Sequence, residues 1–201
     1  TDGTWKECLV VTNETGDGLA WGVERAPSPL SGLLPPEVRD GAAEGTMVEL
    51  TLAASAITTD TARHIAKIGG AALLIDYGSE RRSLGSSLQA VRDHHRVNPL
   101  VDPGLADLSS HVDFSRIRAA CETGGATFVG PVDQGRFLFE LGIEERATAL
   151  KRGASQGQAR DIDAAMRRLI GPTEMGTLFK VAAMLSPDAP DVAGFGSGRG
   201  D

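Results

Sequence analysis

The strongest constraint in this chain is a change of hydrophobic period near residue 70. From Ala54 to Ile68 (ASAITTDTARHIAKI), Ile57, Thr61, Ile65 and Ile68 recur at helical spacing, and Gly69-Gly70 closes the helix. Ala71 to Ile75 is then an uninterrupted apolar run that ends in Asp76-Tyr77-Gly78. A run without alternation, bounded by glycines and fed by a helix, predicts a parallel strand buried on both faces. A helix leading into such a strand calls for an α/β sheet.

The 201 residues, 41% of them hydrophobic, suffice for one core-forming domain or slightly more. A net charge of -7 argues against nucleic acid or an anionic membrane surface as an electrostatic partner, because both need a basic face. No stretch approaches the roughly 18 apolar residues of a membrane span. Cys8 and Cys121 lack CxxC spacing, which leaves room for one disulfide but not for a disulfide framework, and a reducing cytosol is expected. The sequence opens Thr1-Asp2-Gly3, with neither a Met nor a charged-then-apolar leader, and reads as a piece of a longer chain.

Around the central unit, Trp5–Thr12 and Leu19–Arg25 predict a hairpin across the polar 13–18 stretch, and 26–45 predicts a Pro/Gly-rich loop. Thr46–Leu52 alternates as a strand would. Residues 79–110 predict a long loop with one extended piece at Ser87–Val91. Beyond it come a short strand at His111–Phe114, a helix from Arg116 to Thr123 capped by Ser115, and a strand at Ala126–Val129. Helices are expected over Gln134–Leu141, Ile143–Arg152 and Ala159–Leu169, with a last strand at Leu178–Met184. Residues 186–201 read as a flexible tail.

That tail contains Gly194-Phe-Gly-Ser-Gly-Arg-Gly200, but no helix follows to complete a nucleotide-binding glycine loop, and the final Arg-Gly-Asp is discounted in the same way. His94 and His95 are adjacent, so on a strand they would face opposite ways, and no nearby Cys supports zinc; no metal site is assigned. His94 and His111 are candidate proton carriers or structural histidines. Asp76, Tyr77 and Gly78 end the buried strand, where open α/β sheets bind ligands; the alternative is that Asp76 starts a turn. Asp102, Asp107 and Asp113 surround a Pro-Gly turn, and Arg81, Arg82, Arg92 and Arg96 offer a counter-field for a polar cleft.

The segments GGAALLIDYG (69–78), SLQAVRDHH (87–95), NPLVDPGLADL (98–108), HVDF (111–114), GPVDQGRFLFELGIEERATAL (130–150) and MGTLFKVAAM (175–184) fall in one order along the chain. In that order they resemble the MidA-like family of class I S-adenosylmethionine-dependent methyltransferases, to which the mitochondrial complex I assembly-factor arginine methyltransferases belong. The likeness covers almost the whole chain. It implies an α/β fold, the C-terminal half of a Rossmann-like sheet with an antiparallel last strand and helical insertions, over residues 1–185. Ala71–Ile75 would be its fifth strand, and His111–Phe114 would lie close to the sixth. The family's glycine loop, its ribose-binding acid and its Asn-Glu-Phe-Phe-Asp strand end do not occur here, so S-adenosylmethionine would be bound mainly by residues outside this sequence. Asn98 stands where the family pattern has Asp, and Asp133 where it has Thr or Lys.

The implied activity is protein-arginine N-methylation, with Asp76, Tyr77, Gly78, Arg92, His94, Asp107, His111 and Asp113 as substrate-binding candidates. The implied partner is an arginine-bearing protein, with a respiratory complex I subunit as one choice, in the bacterial cytoplasm or the mitochondrial matrix. A non-catalytic module that binds such a partner is the competing reading. A half-sheet would also leave an unpaired edge and favour self-association.

Overall fold

The structure is a computed structural model, and it describes residues 3–80 and 84–196. In chain order its elements are β1 (Cys8–Thr12), β2 (Leu19–Val23), α1 (Pro36–Arg39), α2 (Leu52–Ile68), β3 (Ala71–Ser79), β4 (Gln89–Arg92), β5 (His95–Val97) and β6 (Asp107–Ser109). Then follow β7 (Val112–Asp113), α3 (Phe114–Gly124), β8 (Thr127–Asp133), α4 (Gln134–Glu140), α5 (Ile143–Lys151), α6 (Gln156–Ile170), α7 (Met175–Leu178) and β9 (Phe179–Leu185). The chain divides into two compact units, Thr1–Glu49 with Ser83–Ser110, and Leu50–Arg82 with His111–Asp201.

In the first unit β1 and β2 form the expected antiparallel hairpin. Asn13 closes it, its Oδ1 accepting from the backbone N–H groups of Asp17 and Gly18. Two expectations change here. Residues 46–51 join no ladder, and Leu52 already belongs to α2. The alternation of Thr46–Leu52 has no strand to serve, because Glu49 ties the segment down through its side chain. Its carboxylate accepts from Ser86 Oγ, and from Ser87 N and Oγ. Burial pushes the Glu49 carboxyl up, but these donors outweigh it and hold the group below its ordinary value. The predicted loop over 79–110, for its part, contains a three-stranded antiparallel sheet in the order β5-β4-β6.

The second unit is a four-stranded mixed sheet in the order β7-β3-β9-β8, with helices on both faces. The last strand, β9, is antiparallel to both β3 and β8. Alternate residues point to opposite faces. Ala72, Leu74, Phe128 and Met184 meet Ala62, Ile65, Cys121 and Ala126 on the α2/α3 side. Val181, Ala183 and Leu185 meet Phe137 of α4 and Phe195 on the other. Within residues 186–196, Phe195 lies buried against the Phe137 ring, centroids 5.2 Å apart, with Ala189 and Val192 packed nearby. Residues 197–201 lie outside the described residues.

The buried stripe of α2 differs from the expected one. It runs through Thr58, Ala62 and Ile65, while Ile57 and Ile68 are exposed. The cause is a backbone-close approach of α3: a Cβ on Gly124 would lie 2.5 Å from Ala62 Cβ and 2.6 Å from Thr59 O. Only a glycine there lets the two helices meet, and their contact selects the small-residue face. The helix α3 itself starts at Phe114, and its cap is Asp113 rather than Ser115.

The strand β3 departs most from expectation. Among the described residues, Ala71–Tyr77 pairs only with β9; on its other side β7 reaches only Gly78 and Ser79. Leu73 is 54% exposed and Ile75 48% exposed, so the described residues do not cover the strand on both faces. Nor does His111–Asp113 lie by a sixth strand beyond β9. That place belongs to β8, and β7 flanks β3 on the opposite side.

Two outcomes follow from this packing. Covering Leu73 and Ile75 gains about 1 kcal/mol each, so the chain by itself should self-associate, and Leu73→Lys with Ile75→Lys should shift its size-exclusion profile toward monomer. A monodisperse wild-type monomer would contradict this. Burial pushes the Cys121 thiol up to about 11, so its thiolate is about one thousandth populated at pH 8. Exposed Cys8 should therefore take iodoacetamide alone in the native protein, with Cys121 labelled only in denaturant, as read by mass spectrometry.

Candidate functional site

The carboxyl end of β3 brings five of the eight candidates into one neighbourhood: Asp76, Tyr77, Gly78, His111 and Asp113. Gly78 makes this possible. A Cβ there would sit 2.1 Å from the Val112 carbonyl oxygen, so only glycine allows β7 to pair with the end of β3. That pairing carries His111 to Tyr77, where the two rings meet edge to face with centroids 4.1 Å apart. Phe179, opposite Tyr77 in the β9 register, adds a third ring at 6.0 Å. The result is a half-buried aromatic cluster of Tyr77, His111 and Phe179.

The pleat separates Asp76 from this cluster. Asp76 stands opposite Lys180, and consecutive residues alternate in face, so the carboxylate lies on the α2/α3 side and the aromatic rings on the other. The Asp76 side chain is exposed; its Oδ1 accepts from Tyr77 N at 2.7 Å. Lys180 instead donates to Asp133 Oδ1 at 2.5 Å and to the Thr177 carbonyl at 2.6 Å.

Asp113 has a structural occupation. Its Oδ1 accepts from Ser115 N, Ser115 Oγ and Arg116 N, capping α3, and its Oδ2 lies 3.7 Å from Arg116 Nε. A carboxylate spent on a helix cap is not on offer to a substrate. A second anchor is Arg118, which donates to Glu80 Oε1 at 2.6 Å and to the Gly130 carbonyl at 2.5 Å, with its guanidinium 4.7 Å above the Phe128 ring.

The other three candidates, Arg92, His94 and Asp107, lie in the first unit. Asp93 and His94 both take positive φ, 51° and 64°, and form the tight turn between β4 and β5. The adjacent-histidine reading therefore changes: His94 is a turn residue, and only His95 belongs to a strand. Arg92 pairs with Asp102 at 3.3 Å. Asp107 stands opposite Val91 on β6 and is exposed. Arg81 and Arg82 lie outside the described residues. Among the described residues no cluster of three His, Cys, Asp or Glu side chains can hold a metal ion, and no helix is long and apolar enough to cross a membrane.

Phe179, Lys180 and the Glu80–Arg118 pair were not foreseen from the sequence. Strand register brings Phe179 and Lys180 to β3, and the packing of α3 brings Arg118 to Glu80; a single sequence encodes neither in a local pattern.

Among the described residues, the helix N-terminus beside this strand end, that of α3, is closed by the Asp113 carboxylate, so its N–H groups are not open to a cofactor.

Comparison with known proteins identifies the family. A family model described as "Putative S-adenosyl-L-methionine-dependent methyltransferase" matches residues 1–132. The mitochondrial protein arginine methyltransferase NDUFAF7 homolog of Drosophila melanogaster is 34% identical over 191 residues, 91% of this chain and 42% of the relative. The human protein arginine methyltransferase NDUFAF7 is 29% identical, over 90% of this chain and 40% of its own length. Among solved structures, a Burkholderia thailandensis protein superposes with a TM-score of 0.82 at 28% identity, over 98% of this chain and 53% of that one. Another from the same organism, bound to S-adenosyl-homocysteine, gives a TM-score of 0.76 at 29% identity over 97% and 51%. The chain spans about two-fifths of the curated relatives and half of these structures. With its Rossmann-like α/β sheet and this match over most of its length, the chain belongs to the S-adenosyl-L-methionine-dependent methyltransferase family.

Proposed function

We propose that this chain forms the acceptor-binding part of a protein-arginine N-methyltransferase, with Asp76 receiving the substrate guanidinium. The observation that carries the reading is the exposed Asp76 carboxylate at the carboxyl end of β3, unmatched by any cation among the described residues. A carboxylate there meets a guanidinium through charge-assisted hydrogen bonds, and holding its plane fixes the direction in which a nitrogen lone pair points. On the opposite face of the same strand end, the Tyr77–His111–Phe179 cluster offers ring faces and edges suited to a cationic group.

S-adenosylmethionine supplies an electrophilic methyl group on a sulfonium. The part of this chain is to bind and orient the acceptor; the cofactor is held mainly by residues outside the sequence. The protein partner carries an arginine, and a respiratory complex I subunit is the class that the family resemblance suggests. The cytoplasm of a bacterium or a mitochondrial matrix is the compartment.

Two measurements test this reading. In the protein at its natural length, Asp76→Asn should raise KM for an arginine peptide about tenfold or more, the value of one charge-assisted hydrogen bond pair. An unchanged KM would remove Asp76 from the acceptor site and favour the non-catalytic, partner-binding alternative. Calorimetry of this chain alone with S-adenosylmethionine should show weak or no binding. Micromolar affinity would put the cofactor site within these residues.

A further inference from the structure

Across the carboxyl-end rim of the sheet, Asp76, Lys180 and Asp133 stand in one row on neighbouring strands β3, β9 and β8. Being direct cross-strand partners, they share one face. Neighbouring strands lie about 4.8 Å apart, so the four-carbon stem of Lys180 has reach toward either carboxylate. The structure shows one choice: the ammonium bonds Asp133 Oδ1 at 2.5 Å and the Thr177 carbonyl at 2.6 Å, and no ion pair joins it to Asp76.

We propose that Asp133 is a positioning residue that holds Lys180 away from Asp76 and so leaves the Asp76 carboxylate open to a guanidinium. The proposal rests on the reading of Asp76 as the acceptor carboxylate. Two carboxylates and one ammonium leave the row with one net negative charge, and that charge sits at Asp76 because Lys180 is already neutralised on its other side. Without Asp133, Lys180 gains by turning to its other cross-strand neighbour, and the row becomes neutral. An incoming guanidinium then has to displace an internal ammonium before it binds. Asp133 touches no substrate in this account; it acts through Lys180. The Thr177 carbonyl assists, since it anchors the ammonium on the side away from Asp76.

The test compares four forms of the protein at its natural length: wild type, Asp133→Asn, the double variant Asp133→Asn/Lys180→Met, and Asp76→Asn. The probe is a glycine-rich peptide with a single arginine, followed by steady-state methylation and, independently of turnover, by calorimetric binding. Asp133→Asn should raise KM and Kd about three- to fivefold, as expected for a partly exposed ion pair, with kcat within about twofold. Adding Lys180→Met should bring both constants back to near wild type, because the competing ammonium is gone. A merely structural loss at Asp133 would not be repaired by a second deletion, so a double variant that stays weak overturns the proposal. It is equally overturned if Asp133→Asn changes nothing while Asp76→Asn weakens binding. If Asp76→Asn itself binds the peptide normally, the acceptor reading falls, and this one with it.

Discussion

The structure depends on β9 being buried on both of its faces. Val181, Ala182, Ala183, Met184 and Leu185 are consecutive and all buried, and they feed two separate cores in alternation. Fully burying a Val, Leu or Met contributes about 1.5–3 kcal/mol, so this one strand supplies much of what holds the helices to the sheet. Its central place also makes β3 and β8 run in the same direction, because it is antiparallel to each. The carboxyl ends of β3 and β8 therefore emerge on the same rim, with the first residues of β9 between them.

That rim is where the chemistry-bearing residues gather, and the β9 register decides which of them meet. Phe179 is opposite Tyr77, so the aromatic rings cluster on the α4 side. Lys180 is opposite both Asp76 and Asp133, so the charges align on the α2/α3 side. A register slip of one residue would exchange the two sets. Gly78 and Gly124 act at a second level, one admitting β7 to the strand end and the other admitting α3 to α2. On the same face as Val181 and Ala183, Leu73 and Ile75 of β3 stay about half exposed.

Much of this was legible in the residues. The helix before Gly69, the strand ending at Asp76-Tyr77-Gly78, the hairpin over 8–23 and the last strand are local patterns, and the structure has them all. The failures share a cause in tertiary context. Thr46–Leu52 alternates, but Glu49 is claimed by Ser86 and Ser87. Ile57 and Ile68 have helical spacing, but the close approach at Gly124 turns a different face inward. Asp113 suits a ligand role by its position, yet it caps a helix that starts at Phe114, inside the expected strand. Phe179, Lys180 and Asp133 gained their significance only from pairing between distant strands, and periodicity within one segment carries no trace of that.

The most direct examination of the central claim is a structure of the protein at its natural length, crystallised with S-adenosyl-homocysteine and an arginine peptide. The peptide guanidinium should lie about 3 Å from the Asp76 carboxylate oxygens, with Lys180 still turned to Asp133 and the flank of β3 along Ala71–Tyr77 paired with a further strand. A guanidinium held by other carboxylates, with Asp76 facing bulk water and that flank still open, would contradict it.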